Sequence, residues 1–467
     1  MSNEKKYDVE DLPRAPSFKV ENDDNPVQED AVFGEITEGG PNYRDVGLFG
    51  TVVLMMKTQV GLGVLSIPAA FDALGLIPGI ICFCIIAVST TWSGYIVGVF
   101  KVNHPQVYGI DDVGGLIFGR VGREILAIGV VLYWIFITGS GMLSLSISLN
   151  AVSVHGACTA IFVAVAAALG FGFGSIQTLG RVTWLAWIGL AGILFAIFSL
   201  TVAVGVQDRP AAAPQTGPWE SDWKLFTTPT FAEASAALAS LVFAFAGVPS
   251  YFPIVSEMRD PRRFTRALLI CQSGVTATYL IIGIVVYYFC GSYVASPALG
   301  SAGVTMKKVC YGLAMPGLLV TTALYTHFAA KYIFVRVLRG SRHLTQNTVI
   351  HWASWLGLTG GVALIAYIIA SAVPVFDGLI SLIGALFGTL MSFQPMGCMW
   401  LYDNWHKGKV NRTSKWMFMV GWSIFVIVAG TFFMIAGTYG AIDGIIADYN
   451  ASGGSAAWSC ADNSNST

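Results

Sequence analysis

Two runs in this chain of 467 residues bring backbone groups, rather than charged side chains, to places where binding chemistry is possible. The first reads Lys57-Thr58-Gln59-Val60-Gly61-Leu62-Gly63-Val64-Leu65-Ser66-Ile67-Pro68. Two glycines at a spacing of two, followed by Pro68, weaken a helix in the middle of an apolar stretch. The second reads Phe243-Ala244-Phe245-Ala246-Gly247-Val248-Pro249-Ser250-Tyr251-Phe252-Pro253, where Gly247, Pro249 and Pro253 do the same. Backbone groups freed at membrane depth persist only where they line a cavity or bind something. Free N–H groups and the partial positive charge of a half-helix at Gly61, Leu62 and Gly63 suit a carboxylate. Unwound carbonyls across Phe243, Ala244, Phe245 and Ala246, closed by Gly247, suit an ammonium. A ligand carrying both groups side by side is an α-amino acid. The plainer alternative is a pair of kinked helices packing closely through small residues.

The side chains near these runs are few. Lys57 stands four residues before Gly61 in an apolar span, where insertion scales assign a lysine about 2.5–3.5 kcal/mol. The inner end of that span is about ten residues away, roughly 15 Å of helix, too far for easy snorkelling. Farther along, Thr321, Thr322 and Thr326 offer hydroxyls, and His327 is a mid-span histidine able to relay protons. Lys331 is placed to snorkel to the headgroups. Tyr133, Thr138 and Ser140 are polar candidates in the third span, with Phe136 as a possible wall. Asp72, Glu233 and Asp377 fall at span ends as capping or solvated groups. No P-loop, His-Glu-x-x-His, Gly-x-Ser-x-Gly or clustered Cys/His set occurs, so neither an enzyme nor a cofactor or metal is expected.

The elements that must position these residues are read from composition. The chain is 55% hydrophobic and only 11% charged, with a mean hydropathy of +0.66. Soluble domains carry roughly 25% charge, so this is an all-α polytopic membrane protein surrounded by lipids. A net charge of -1 without a basic stripe argues against nucleic acid. At about 20 apolar residues per crossing, about 11 transmembrane helices are expected. They lie near 48–71, 76–100, 124–152, 157–175, 182–206, 232–256, 265–290, 314–338, 350–372, 376–400 and 416–439. The two weakened runs fall in spans 1 and 6. These are corresponding positions if residues 46–206 and 232–400 are two five-span halves, the second inverted, with 416–439 as one extra helix. Paired broken helices in inverted repeats point to a transporter's binding site. A channel is disfavoured, because no charged ring or filter-like repeat is present.

With the N-terminus in the cytosol, 21 Lys and Arg fall inside and 4 outside, Lys57 lying within the first span. Residues 1–45 hold 12 acidic and 5 basic residues and are read as a disordered cytosolic tail. The tail either solubilises or is read by trafficking or ubiquitin machinery. Residues 46–440 form the membrane domain, and 441–467 an extracytoplasmic tail. That tail carries glycosylation sequons at Asn450 and Asn465. Cys158, Cys290, Cys310 and Cys460 fall at or near the outer face, and Cys310 and Cys460 are a possible disulfide; free, packed thiols are the alternative.

The run from Gly61 to Pro68 resembles the first-helix signature of the amino acid/auxin permease family. The run from Phe243 to Gly247, followed by Glu257-Met258-Arg259-Asp260-Pro261, resembles its sixth-helix signature. The likeness is greatest to the fungal neutral amino acid permeases and covers roughly residues 44–440. It implies the five-plus-five inverted-repeat fold of the LeuT and amino acid–polyamine–organocation type, with proton- or sodium-driven uptake of neutral L-amino acids. Plant-type members often place His where this chain has Val248, and animal sodium-coupled members place Asn where it has Lys57. In the fold it resembles, a sodium ion sits between helices 1 and 8. The Lys57 ammonium could take that place, reaching carbonyls of span 1 and hydroxyls such as Thr322 or Thr326, and release and regain a proton as access alternates. An amino-acid sensor signalling through its tail, or a sodium-coupled symporter, is the competing expectation.

Overall fold

The computed structural model describes residues 28–30, 34–36, 44–210, 212–344, 346–373, 375–410, 412–452 and 458–464. Fifteen α-helices follow in chain order. They are α1 (Leu48–Gln59), α2 (Ile67–Leu74), α3 (Leu76–Asn103), α4 (Ile110–Ser153), α5 (Thr159–Gly174), α6 (Leu179–Val206), α7 (Phe231–Ala244), α8 (Val248–Ser256), α9 (Phe264–Cys290), α10 (Val304–Leu338), α11 (Val349–Ala372), α12 (Phe376–Ile383), α13 (Thr389–Ser392), α14 (Gln394–Val410) and α15 (Ser414–Ser452). Among the described residues nine helical stretches are long and apolar enough to cross a membrane. The pair α1 and α2, bent by 43° across its break, makes a tenth. The eleventh expected span is α5, at 16 residues, about 24 Å of helix and so shorter than a typical hydrocarbon core.

Local sequence explains the two breaks. α1 ends where Val60 turns extended at φ −73° and ψ 98°. The chain then passes through Gly61 and Leu62, a 3-10 turn at Gly63–Leu65, and α2, with Pro68 in its first turn, where no donor is needed. α7 begins with a capping box, in which Thr230 and Glu233 bond each other's backbone N–H groups. It stops at Phe245, and α8 restarts after Gly247 with Pro249 in its first turn. A π-helical stretch at Gly384–Gly388 separates α12 from α13.

α10 lies along both α4 and α6, and α15 lies along α7, α12 and α14. The broken helix is held between these layers, α1 against α6, α8 and α9, and α2 against α7 and α9. α4 is two helices joined at Gly119, whose φ of +72° a side chain would resist; the second begins within a few residues of the start expected at 124. The last helix runs past residue 440 to Ser452. Within residues 1–45, read as a disordered tail, Gln28–Asp30 (β1) pairs antiparallel with Gly34–Ile36 (β2).

The expected Cys310–Cys460 pair is not formed. Cys460 is bonded to Cys158, and Cys310 is a buried free thiol. The tail returns to the start of α5, where Thr159 donates to the Ala461 carbonyl at 2.7 Å and Asn463 donates to Ser146 at 3.0 Å. That docking brings Cys460 to Cys158, while Cys310 faces the interior. Peptide mapping without reductant should recover the 158 and 460 peptides as one linked species and leave Cys310 unlinked. Recovery of a 310–460 link instead would overturn the tail's placement. Asn450 is exposed on α15, and Asn465 lies outside the described residues.

Candidate functional site

The two breaks meet. A Cβ built on Gly63 would lie 2.5 Å from Ala244 Cα, and one on Gly247 would lie 2.6 Å from Thr58 Oγ1. A Cβ on Gly61 would stand 2.8 Å from Thr321 Oγ1 and 3.2 Å from Lys57 Nζ. These glycines are therefore filled against by protein atoms, so helix approach, and not only a ligand, excludes a side chain at each.

Beside the crossing is a small cavity lined by Lys57, Gln59, Gly61, Leu62, Gly63 and Thr321, with Thr58, Tyr133, Ile137, Phe243 and Tyr325 around them. Its volume of about 10 Å³ is what a single water requires. Lys57 is its one formally charged lining residue. The Lys57 ammonium is fully buried and donates to the Val60 carbonyl at 3.0 Å and to Thr321 Oγ1 at 2.5 Å. One bond is to the unwound end of α1 and the other to α10, so a cation bridges these two elements.

The expected partners Thr322 and Thr326 do not reach it. Thr322 back-bonds to the Leu318 carbonyl at 3.0 Å and Thr326 to the Thr322 carbonyl at 2.8 Å. Neighbouring helix positions are turned by about a third of a circle. Thr321 faces α1, while Thr322 and Thr326 face the glycines of α4 and α5 at Gly141, Gly170 and Gly174. His327 is also turned away, with Nδ1 2.7 Å from the Ile176 carbonyl and its ring edge-on to Trp355.

The carbonyls freed at the second break are taken by phenols. Tyr133 donates to the Ala246 carbonyl, Tyr279 to that of Ala244 at 3.2 Å. At the first break Tyr325 donates to the Thr58 carbonyl at 2.6 Å. Gln59 Nε2 donates to the Tyr251 hydroxyl at 2.7 Å. In this conformation the carbonyls of Thr58, Ala244 and Ala246 at the two breaks are thus satisfied from within. A ligand would exchange with these hydroxyls rather than meet bare carbonyls. Of the third-span candidates Tyr133 lines the cavity, Thr138 and Ser140 back-bond within α4, and Phe136 packs on Phe387.

Sequence reasoning missed Glu257. Lys331, expected to snorkel, is buried and forms an ion pair with Glu257, which is equally buried at the end of α8. Glu257 Oε2 also accepts the Leu179 N–H at 3.3 Å. Its carbonyl accepts the Val46 N–H at 3.1 Å, and Arg259 N–H returns to the Val46 carbonyl at 3.0 Å. One end of the bundle is so closed by the segment before α1, the ends of α8 and α10, and the start of α6. Among the described residues no group of three or more His, Cys, Asp or Glu side chains could hold a metal ion.

Residues 46–443 match the family profile described as "Transmembrane amino acid transporter protein". A protein of Gibberella moniliformis named "Transmembrane transporter" is 35% identical over 435 residues, covering 93% of this chain and 91% of its own. The "N amino acid transport system protein" of Neurospora crassa is 30% identical over 430 residues, 91% of either chain. Among solved structures, a substrate-bound, outward-open Na+-coupled sialic acid symporter superposes with a TM-score of 0.52 at 12% identity, over 87% of this chain and 92% of its own. That likeness gives the fold, the inverted-repeat bundle of the LeuT type.

Proposed function

The chain belongs to the transmembrane amino acid transporter family, and from that premise we propose that it imports neutral L-amino acids by alternating access, in symport with protons. The observation that carries the reading is the crossing of two broken helices beside a cavity whose one charged lining residue is Lys57. The ligand's carboxylate would replace protein contacts at Gly61, Leu62 and Gly63, and its ammonium would compete for carbonyls of residues 243–246. With no acid in the lining, a cationic side chain has no partner. Phe243, Leu62 and Ile137 favour an apolar one. The cavity is too small for any amino acid as it stands, so the surrounding helices must part to admit one. The proposed membrane is the plasma membrane, with the N-terminus cytosolic and the C-terminus extracellular.

Uptake into proteoliposomes tests this directly. Label should accumulate on an inward proton gradient without sodium, and leucine or phenylalanine should displace it. Transport of arginine or glutamate indifferent to leucine would overturn the substrate assignment. Binding without accumulation would make the protein a sensor.

Gly63→Ala should abolish uptake and also lower the stability of the substrate-free protein. Its Cβ meets the backbone of Ala244, which cannot swing aside, and overpacking of this kind costs about 1–3 kcal/mol. Thermal unfolding in detergent and uptake, measured side by side, separate the causes. Lost uptake at unchanged stability would mean that the methyl blocks the ligand alone. Normal uptake would show that the site is elsewhere.

A further inference from the structure

A covalent clamp lies well away from the broken helices. The tail segment 458–464 is bonded through Cys460 to Cys158 and lies across the ends of four helices. On α4, Asn150 donates to the side-chain carbonyl of Asn463 at 2.7 Å, and Asn463 donates in turn to Ser146 at 3.0 Å. At the start of α5, Thr159 donates to the Ala461 carbonyl at 2.7 Å. On α10, the Lys307 ammonium donates to the Ser464 carbonyl. On α11, the Ser371 carbonyl accepts the Trp458 N–H at 3.3 Å, and the Trp458 ring packs on Tyr367 with centroids 5.2 Å apart.

Two features set this clamp apart from a buried staple. Its bond is open to solvent, since Cys460 is exposed and Cys158 half-buried. An exposed disulfide is the kind that small thiols reduce, whereas a shielded structural one resists them. Its backbone is also strained. Among the described residues three non-glycine residues have a left-handed φ, Val154 and His155 at 54° and Trp458 at 67°, and all three flank the clamp. Helices commonly end on a left-handed residue, usually glycine, and a β-branched side chain resists that conformation. Here α4 is capped by Val154, and the His155 N–H bonds to the Asn150 carbonyl at 3.0 Å, with its Nδ1 3.0 Å from Asn150 Oδ1. Strain of this kind persists only where the surroundings hold it, and it collects at segments that switch. Asn150, fully buried, holds the strained turn, and Asn463 of the tail holds Asn150.

The clamp is connected to the crossing by two of its helices. α4 and α10 carry Tyr133, Ile137, Thr321 and Tyr325 of the small cavity. Ser146 follows Tyr133, and Lys307 precedes Thr321, by about 20 Å of helix in either case. The tail thus fixes the spacing of two helices that wall the site, at the end of the bundle opposite the Glu257–Lys331 pair. We propose that Cys158–Cys460 is a reversible thiol-exchange site, at which a low-molecular-weight thiol releases the tail and loosens the substrate site. The thiolate attacks the exposed Cys460 sulfur, the bond to Cys158 breaks, and Cys158 leaves as a thiolate that takes up a proton. A second thiol attacks the mixed disulfide at its small-molecule sulfur, and Cys460 leaves in the same way. Two cysteines are reduced, and two small thiols are oxidised to their disulfide. Once untethered, the tail exchanges its hydrogen bonds for water, the turn at Val154 and His155 relaxes, and α4 and α10 lose a common anchor. The effect on affinity rests on the proposed site, whereas release of the tail does not.

The test uses the full chain in proteoliposomes, treated on both faces with glutathione and then with glutathione disulfide. Glutathione should open Cys158 and Cys460 to N-ethylmaleimide and leave the buried Cys310 unlabelled. Amide hydrogen exchange in residues 146–165 should quicken on reduction and slow again on reoxidation, whatever the protein transports. The KM for leucine should rise about threefold or more, within the coupling expected between sites this far apart, with little change in maximal rate, and should recover on reoxidation. The double variant Cys158→Ser, Cys460→Ser should show the raised KM from the start and ignore glutathione. A bond that glutathione leaves intact, unchanged hydrogen exchange, an unchanged KM after reduction, or a response that persists in the double variant would overturn the switch. Should that variant fail to fold, the wild type's own cycle of reduction and reoxidation decides. Absence of leucine uptake by the oxidised protein would instead overturn the proposed substrate, and hydrogen exchange would still decide whether the tail is released.

Discussion

Lys57→Ala should retain substrate exchange and lose accumulation driven by a pH gradient. The ammonium is the one formal charge at the crossing of the broken helices, wholly buried, and bonded to the Val60 carbonyl and Thr321 Oγ1. Removing it deprives two buried acceptors of their donor, though Thr321 keeps its own bond to the Gly317 carbonyl; a buried group left unpaired costs about 1–3 kcal/mol. That alone weakens the closed arrangement of α1 against α10. The larger effect is on coupling. If the proton carried with substrate is the one on Lys57, no other titratable side chain lining the cavity carries a charge that could replace it. A loss of at least about tenfold in steady-state accumulation is expected, since one hydrogen bond's worth of coupling is already that factor. Lys57→Met fills the same space and serves as the control. It should behave like alanine in the gradient assay while retaining more of the wild-type stability. Full proton-driven accumulation by either variant, or strict sodium dependence of the wild type, would refute the assignment.

The two helix breaks were legible in the sequence because their causes are local. Gly61, Gly63 and Pro68 weaken one helix, and Gly247, Pro249 and Pro253 the other. The helices stop at Gln59 and Ala244, within a few residues of those positions. Side-chain partners were not legible, because helices buried on most sides show little amphipathic stripe. Nothing in the apolar run around Thr321, Thr322 and Thr326 tells which hydroxyl faces α1, and a third of a turn decides it. The phenols of Tyr133, Tyr279 and Tyr325 reach carbonyls more than 30 residues away in sequence. The same distance hid the Cys158–Cys460 bond and the pairing of Lys331 with Glu257. The sequence signal for the latter was present but unused. A lysine near a span end and an acid near another, both on the face chosen by the charge bias, are candidates for each other before either is a candidate for snorkelling.

That pair carries the second large effect. Lys331 is 2% and Glu257 1% exposed. Two ions taken out of water are tolerable together and not singly. Lys331→Met should leave the Glu257 carboxylate buried against the Leu179 N–H alone, and destabilisation of about 3–5 kcal/mol is expected. Glu257→Gln should lose a similar amount, because the buried ammonium then loses its counter-ion. The double variant Glu257→Met, Lys331→Met removes both charges. Replacement of a buried pair by apolar groups is often neutral, so its unfolding temperature should return close to that of the wild type. Uptake then distinguishes two roles. If the pair only holds α8 to α10, recovery of stability should restore transport. If that end of the bundle must open in each cycle, the pair is broken and remade, and its replacement by permanent apolar contact should leave a stable protein with slow uptake. The second outcome is expected, because Val46, Leu179, Glu257 and Lys331 tie four elements together at this one place. An apolar seal there has no ion pair to exchange for hydration when it parts. Single variants as stable as the wild type would show that the ion pair does not hold this end closed.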